Sequence, residues 1–369
     1  MSTHNKFRGA LSAKLISRLR ALPLWVAMLT LMGAASAPAA QNLSPEIESF
    51  IQEMVQKHQF SDVSLRRLFA RVEPNPAVIS AISAPITALP WYEFRRRYLD
   101  AARISGGVAF WREHAATLAR ARREFGVSEE IIVATIGVET TYGRQTGRIG
   151  VLEALTMLAF SYPPRARLFR SELEHYLLLA REARIDAASM KGSYAGAIGI
   201  PQFLPSSYRR YAVDFDGDGR RDLLNSPADA IGSVANYYKS HGWRADQTIA
   251  VPAEVNPGSA AALLELGIKP QLKVGELKRR GVSPAAPVEE GPEAALITAE
   301  SENGPSYWLG FNNFYVITRY NRSINYALVV EELARELRAQ FRPEDSKGGL
   351  KDNSNAIEPP IDANETGKQ

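Results

Sequence analysis

The sequence predicts an α+β fold, mainly α, in which one small β-rich part interrupts a largely helical chain. Three observations predict it. Apolar residues recur at helical spacing through the first two thirds of the 369 residues. From about Trp243 proline and glycine become frequent, and short runs such as TIAV, LITA and YWLGF read as strands. Helical spacing then returns in NYALVVEELARELRAQF, residues 325–341, a segment expected to pack back on the first helices.

The N-terminus reads as an export signal rather than as fold. Residues 1–20 carry Lys6, Arg8, Lys14, Arg18 and Arg20 and no acid, and an apolar stretch from Leu22 to Ala35 follows. That stretch is too short to span a bilayer as a mature helix, and it runs into SAPAAQ. Cleavage is expected after Ala39, so that residues 1–39 are removed and a soluble periplasmic protein begins at Ala40. Removing five of the 44 basic residues leaves 39 against 40 acids, so the precursor's basic surplus is the signal and not a nucleic-acid surface. Cysteine is absent, which excludes disulfides, thiolate metal sites, cysteine nucleophiles and a lipoprotein anchor. The five histidines, His4, His58, His114, His175 and His241, nowhere show the H-E-x-x-H spacing of a catalytic zinc site. Carboxylates are therefore expected to carry the acid-base chemistry.

The first helical unit is expected over 40–125. Ser44-Pro45 is a cap with a first-turn proline, followed by Ile47, Phe50, Ile51, Met54 and Val55 at helical spacing. Further helices are expected near 64–72, 107–125, 128–139, 150–159, 169–183 and 227–240. A core unit is assigned to 126–243, a small β-rich insertion to 244–304 and a return to the helical parts to 305–341. Beyond that, 342–369 is charged and polar, with Pro359-Pro360, and is expected to be a disordered tail.

The segment SEEIIVATIGVETTYGR, 128–144, carries the most chemistry. Ser128 opens a helix that is apolar nearly all round, as a buried helix must be. Glu139 closes it, so burial and the negative end of the helix dipole both favour its protonated form. A glutamic acid protonated near neutral pH is what donation to a leaving sugar oxygen requires. The bland alternative is a buried glutamate paired with Arg144 or Arg148 for structure alone. In KGSYAGAIGIPQFLPSSY, 191–208, Gly192, Gly196 and Gly199 fit no phosphate-binding pattern and Ser193 lacks a nucleophile frame. These glycines permit tight turns, close approach to a bulky ligand, or close helix packing.

The acidic loop DFDGDGRRDLLN, 214–225, has the spacing of a calcium loop. Asp214, Asp216 and Asp218 stand at positions one, three and five, Gly219 at the sharp turn and Arg220 where a backbone carbonyl is used. Asp222 takes the water-mediated position, but Asn225 replaces the bidentate glutamate at position twelve, which predicts weak affinity.

GVETTYGR, SYPPR, KGSYAGAIGIPQFLPSSY, SPADAIGSVANYYKSHGW and NFYVITRYNRSINY occur in one order, and from about Leu43 to Gln340 the chain resembles the lytic murein transglycosylase B family, glycoside hydrolase family 103. The resemblance implies a lysozyme-like catalytic core, with the calcium loop inside 126–243, plus an added helical domain and a small β-rich domain. It implies Glu139 as the single catalytic acid and base, and Ser193, Gln202, Tyr237, Tyr320, Asn321 and Tyr326 as sugar contacts. Arg165 would contact sugar or an anionic peptide, and Asp229, also a plausible helix-cap acid, would complete the calcium shell. Calcium is thus expected as a structural cofactor, with no organic cofactor. Two positions depart from the family. Pro164 stands where one of two adjacent arginines is usual, and Phe94 stands where a groove tyrosine is usual.

The reaction implied is cleavage of the MurNAc-GlcNAc β-1,4 bond of peptidoglycan with formation of 1,6-anhydro-N-acetylmuramic acid ends. The rival readings are a hydrolytic muramidase and a catalytically idle peptidoglycan-binding protein. Glycan strands are the expected partner of a monomeric protein, other cell-wall enzymes are compatible with it, and nucleic acid is not.

Overall fold

In the computed structural model, residues 43–84 and 86–342 are described. The expected signal at 1–39 and all but the first residue of the expected tail at 342–369 lie outside them. The opening helices follow from caps and apolar spacing: α1 (Pro45–His58), α2 (Asp62–Phe69) and α3 (Pro76–Ser83). Ser44 Oγ accepts from Ile47 N–H, and Phe50, Ile51 and Met54 are buried. Next come α4 (Trp91–Tyr98), α5 (Ala101–Glu113) and α6 (Ala115–Phe125). The single helix expected over 107–125 is thus two helices, because His114 interrupts the helical backbone at φ −109°, its ring 4.5 Å from that of Phe110.

Helix α7 (Glu129–Thr140) is apolar on every side and is accordingly enclosed, with α5, α6, α11 (Pro227–Ser240) and α15 (Ile324–Gln340) packed around it. Ser128 precedes it with extended backbone but makes no side-chain cap; Ile131 N–H bonds the Ser128 carbonyl instead. Between α7 and α11 lie β1 (Ile149–Gly150), α8 (Val151–Ser161), α9 (Ala166–Glu182), β2 (Lys191–Gly192) and α10 (Pro205–Tyr211). The strands β1 and β2 form a two-residue antiparallel ladder that brings the glycine-rich segment beside the end of α7.

The β-rich part is a five-stranded antiparallel sheet. Its strands are β3 (Ala250–Val255), β4 (Leu272–Lys273), β5 (Val282–Pro284), β6 (Glu293–Ser301) and β7 (Gly304–Gly310), in the order β4-β6-β7-β3-β5. Short helices α12 (Ala260–Leu264) and α13 (Val274–Arg279) pack on it, and α14 (Asn312–Tyr320) leads back to α15. The hairpin β6-β7 runs to Gly310, past the boundary at 304 drawn from sequence, because β7 pairs with β6 along its whole length. Strand β6 is buried on both faces: Ala295, Ile297 and Ala299 join the main helical core, while Ala294 and Leu296 join a smaller core with Leu277, Leu309 and Phe311. Two-sided burial explains why Ala294 to Ile297 is an unbroken apolar run and not an alternation. No helix among the described residues is long and apolar enough to cross a membrane.

Candidate active site

A groove of about 670 Å³ is lined by Glu139 with Ser193, Gln202, Tyr320, Asn321, Tyr326 and Arg165. The end of α7 forms its floor. After Glu139 and Thr140 the chain leaves the helix through three left-handed residues, Thr141 (φ 51°), Tyr142 (φ 62°) and Gly143 (φ 82°). Thr140 Oγ1 donates to the Ile200 carbonyl at 2.7 Å and accepts from Gly143 N–H at 3.0 Å, fastening the helix end to the glycine segment.

That segment needs its glycines for backbone geometry. A Cβ on Gly192 would meet the Ala197 carbonyl oxygen at 2.2 Å, and one on Gly199, at φ 74°, would meet the Leu223 carbonyl oxygen at 2.2 Å. The resulting tight loop aims its polar groups into the groove. Ser193 Oγ accepts from Ala195 N–H (3.3 Å) and Ala197 N–H (3.1 Å), which leaves its own proton to donate. Gln202 is left-handed itself (φ 50°), and its amide nitrogen donates to the Thr146 (3.0 Å) and Gly199 (2.9 Å) carbonyls, leaving the amide oxygen as the free acceptor.

Glu139 has one hydrogen-bond partner among the described residues: Tyr326 O–H donates to Oε1 at 2.7 Å. No arginine among the described residues is bonded to it; Arg144 donates to the Thr141 carbonyl instead. Burial pushes Glu139 up to about 7 from the usual 4.5, and the Tyr326 hydrogen bond only partly opposes the rise. Burial also pushes the Tyr320 and Tyr326 phenols far up, so both remain protonated. Their rings stack at 6.2 Å, and Tyr320 O–H donates to the Pro201 carbonyl. Asn321 Oδ1 accepts from Ser323 N–H at 3.2 Å, leaving its NH₂ unbound. Glu139 is the one carboxylate among the described groove-lining residues.

Tyr237 is not brought to the groove. It lies behind Tyr320 at 4.9 Å, its hydroxyl bonded to the Arg319 carbonyl at 2.6 Å, and it lines a neighbouring polar cavity with His175, Arg210 and His241. It stands on α11, which is buried almost continuously from Asp229 to Tyr238. Tyr98, Gln145 and Tyr194 also line the groove; Tyr194 lies inside the segment 191–208 without being singled out there, and Tyr98 and Gln145 lie outside the quoted motifs. Their signal is only positional: Tyr98 follows Phe94 by one helical turn, and Tyr194 follows Ser193.

The acidic loop gathers carboxylate oxygens of Asp214, Asp216 and Asp229 within 4.8 Å of one another. Asp229 is buried and accepts from Phe215 N–H (2.6 Å) and Asp222 N–H (2.7 Å), so it organises the loop as well as facing its centre. Its own N–H bonds Ser226 Oγ, the helix cap expected from sequence. Asp218 is not in the cluster; its carboxylate accepts from Arg220 N–H at 2.8 Å. An all-oxygen, carboxylate-rich set of this kind fits a hard divalent cation.

A half-buried acid at the end of an enclosed helix, in a groove lined by hydroxyls, amides and aromatic rings, defines a glycan-cleaving protein with a lysozyme-like core. The Transglycosylase SLT domain family matches residues 42–335. Membrane-bound lytic murein transglycosylase B of Escherichia coli (strain K12) is 40% identical over 302 residues, covering 79% of this chain and 82% of that protein. The soluble lytic transglycosylase SltB1 from Pseudomonas aeruginosa superimposes with a TM-score of 0.74 at 47% identity, covering 80% of this chain and 99% of that one. The Escherichia coli lytic transglycosylase Slt35 in complex with calcium gives a TM-score of 0.72 at 38% identity, covering 80% of this chain and 93% of that one. The chain belongs to the lytic murein transglycosylase family.

Proposed function

We propose that this protein cleaves the β-1,4 bond between N-acetylmuramic acid and N-acetylglucosamine in peptidoglycan, with Glu139 as both acid and base. The observation that carries this reading is that Glu139 is the one carboxyl among the described groove residues, with burial pushing it up to about 7. A retaining hydrolase needs a second carboxyl about 5 Å away and an inverting one needs it farther off to hold a water. Neither arrangement is available from the described groove residues.

Protonated Glu139 gives its proton to the glycosidic oxygen as the C1–O bond breaks, and the substrate's own acetamido oxygen stabilises the cationic C1. The carboxylate then takes the proton from the muramyl C6 hydroxyl as O6 bonds to C1, closing the 1,6-anhydro ring. No water is consumed, and Glu139 regains its proton. Tyr326 holds the carboxylate in place between the two steps. Ser193 as donor, Gln202 as acceptor, Asn321 as donor and the Tyr320 ring supply complementary contacts for sugar substituents, with Arg165 at the rim for sugar or peptide carboxylate.

Calcium is proposed as a structural ion held by Asp214, Asp216 and Asp229, which the Slt35 calcium complex and the oxygen cluster support. Export with cleavage after Ala39 is proposed from the sequence of residues 1–41.

Mass analysis of muropeptides released from purified sacculi tests the reaction. Products should be lighter by one water than those of a muramidase and resist borohydride at the muramyl end. Glu139→Gln should lower activity at least about a hundredfold while glycan binding persists. Reducible muramyl ends as the main product would replace transglycosylation with hydrolysis.

A further inference from the structure

Phe94 lines the groove without the hydroxyl that the family resemblance expects on α4. One helical turn later Tyr98 lines the same groove, on the same face of the helix, its ring 4.8 Å from that of Phe94. The Tyr98 ring is braced. The Arg103 guanidinium lies 4.9 Å from its centroid, and Arg103 is itself held by the Arg97 carbonyl (2.6 Å) and Thr141 Oγ1 (3.3 Å), two residues past Glu139.

The hydroxyl end is not held. Tyr142, Tyr176, Tyr208, Tyr237, Tyr320 and Tyr326 each donate to a protein oxygen. Tyr98 O–H has no hydrogen-bond partner among the described residues, and its side chain is only partly exposed. The hydroxyl is not one of the buried polar atoms left without a partner among the described residues, so it is open to the groove that the ring lines. A fixed ring with an unsatisfied hydroxyl facing a groove is the arrangement expected of a preorganised donor. Burial, and after it the charge of Glu139, raise the Tyr98 phenol, which keeps it protonated.

We propose that Tyr98 is a sugar-binding residue, its hydroxyl donating to a hydroxyl or carbonyl oxygen of the amino sugar bound beside Glu139. The assignment rests on the glycan-cleaving reading of the groove. It differs from a packing role, in which the ring matters and the hydroxyl does not.

Tyr98→Phe tests it by removing only the hydroxyl. In a Glu139→Gln background, which separates binding from cleavage, calorimetry with soluble peptidoglycan glycan strands should show Kd about three- to tenfold higher for the double variant. With Glu139 intact, Tyr98→Phe should raise KM by a similar factor and leave kcat within about twofold, with Tm unchanged because no protein bond is lost. Tyr92→Phe, on the same helix but outside the groove, should change none of these. Unchanged Kd and KM in a folded Tyr98→Phe protein would overturn the proposal, as would a fall in Tm and kcat at constant Kd, which marks a structural role. Failure of the underlying reading looks different: the unaltered protein would release no anhydro ends, whatever stands at position 98.

Discussion

Glu139→Gln should stabilise the fold, and only at neutral and alkaline pH. Folding moves this carboxyl from the usual 4.5 up to about 7, chiefly through burial. Below about pH 4.5 it is protonated in both states and its titration contributes nothing to the balance. Between 4.5 and about 7 the unfolded chain releases the proton first, so the native state becomes progressively less favoured as pH rises; above about 7 the penalty is complete. At about 1.4 kcal/mol per pH unit the interval amounts to about 3 kcal/mol. Glutamine cannot ionise, and its amide oxygen still accepts from Tyr326 O–H, so the variant escapes the penalty. Glu331 on α15, which burial also pushes up to about 7, titrates in both proteins and cancels. Denaturant unfolding of both proteins at pH 5, 6, 7 and 8 should show the variant's advantage growing from near zero towards about 3 kcal/mol. An advantage that stays flat across that range would mean Glu139 titrates near its ordinary value, and the burial argument for a neutral acid would be wrong.

Tyr326→Phe removes the bond that favours the carboxylate, so Glu139 rises further; the falling limb of the pH-rate profile, near 7 in the parent, should move up by about one unit. Movement to lower pH in initial-rate measurements would contradict that sign. Added calcium should raise Tm, and Asp216→Ala or Asp229→Ala should abolish the rise, whereas Asp218→Ala should reduce it less, since Asp218 bonds the Arg220 N–H outside the cluster. Calorimetric melts with and without calcium decide this. Gly199→Ala puts a Cβ against the Leu223 carbonyl in a left-handed residue, so it should cost more than about 1 kcal/mol in unfolding experiments and lower activity by displacing Gln202.

Elements were legible in the sequence where one face or all faces of a segment had a single fate. The run from Ile131 to Val138 is apolar all round, and α7 is enclosed. The acid at its end is half-buried and burial raises its pKa, the direction its position implied. Less was legible where a short polar helix packs through few residues: α4, WYEFRRRY, buries only Trp91 and Phe94 and shows no clear period. That helix also carries Tyr98, so the groove residue hardest to find lay on an element that apolar spacing does not reveal. The fate of Tyr237 was likewise invisible, since a tyrosine three residues before the end of α11 faces the groove or the space behind it according to how the end of α14 packs against it. Spacing also put Asp218 in the ion cluster; three-dimensional closure substitutes Asp229, eleven residues on.

Of the six non-glycine residues with left-handed backbone among the described residues, three stand around the groove. Non-glycine residues in left-handed backbone are unfavourable by about 1 kcal/mol or more each, yet Thr141 and Tyr142 follow Glu139 in that conformation and Gln202 adopts it across the groove. A helix continuing past Thr140 would carry the chain away from the glycine segment. The left-handed exit instead turns it so that Thr140 bonds Ile200 and Gln202 bonds Thr146. Those two bonds join the segment bearing the acid to the segment bearing the acceptor. The strain is sustained because what surrounds it is over-determined: Tyr142, for one, sends its ring against Phe110 at 5.6 Å and its hydroxyl to the Arg103 carbonyl at 2.9 Å. Arg103 in turn braces Tyr98, so the same contacts that hold the strained turn after Glu139 also fix the wall facing it. The acid, the acceptor and the wall are therefore positioned by one connected set of residues, which is why a change at Gly199 or Arg103 should disturb sugar binding without touching sugar.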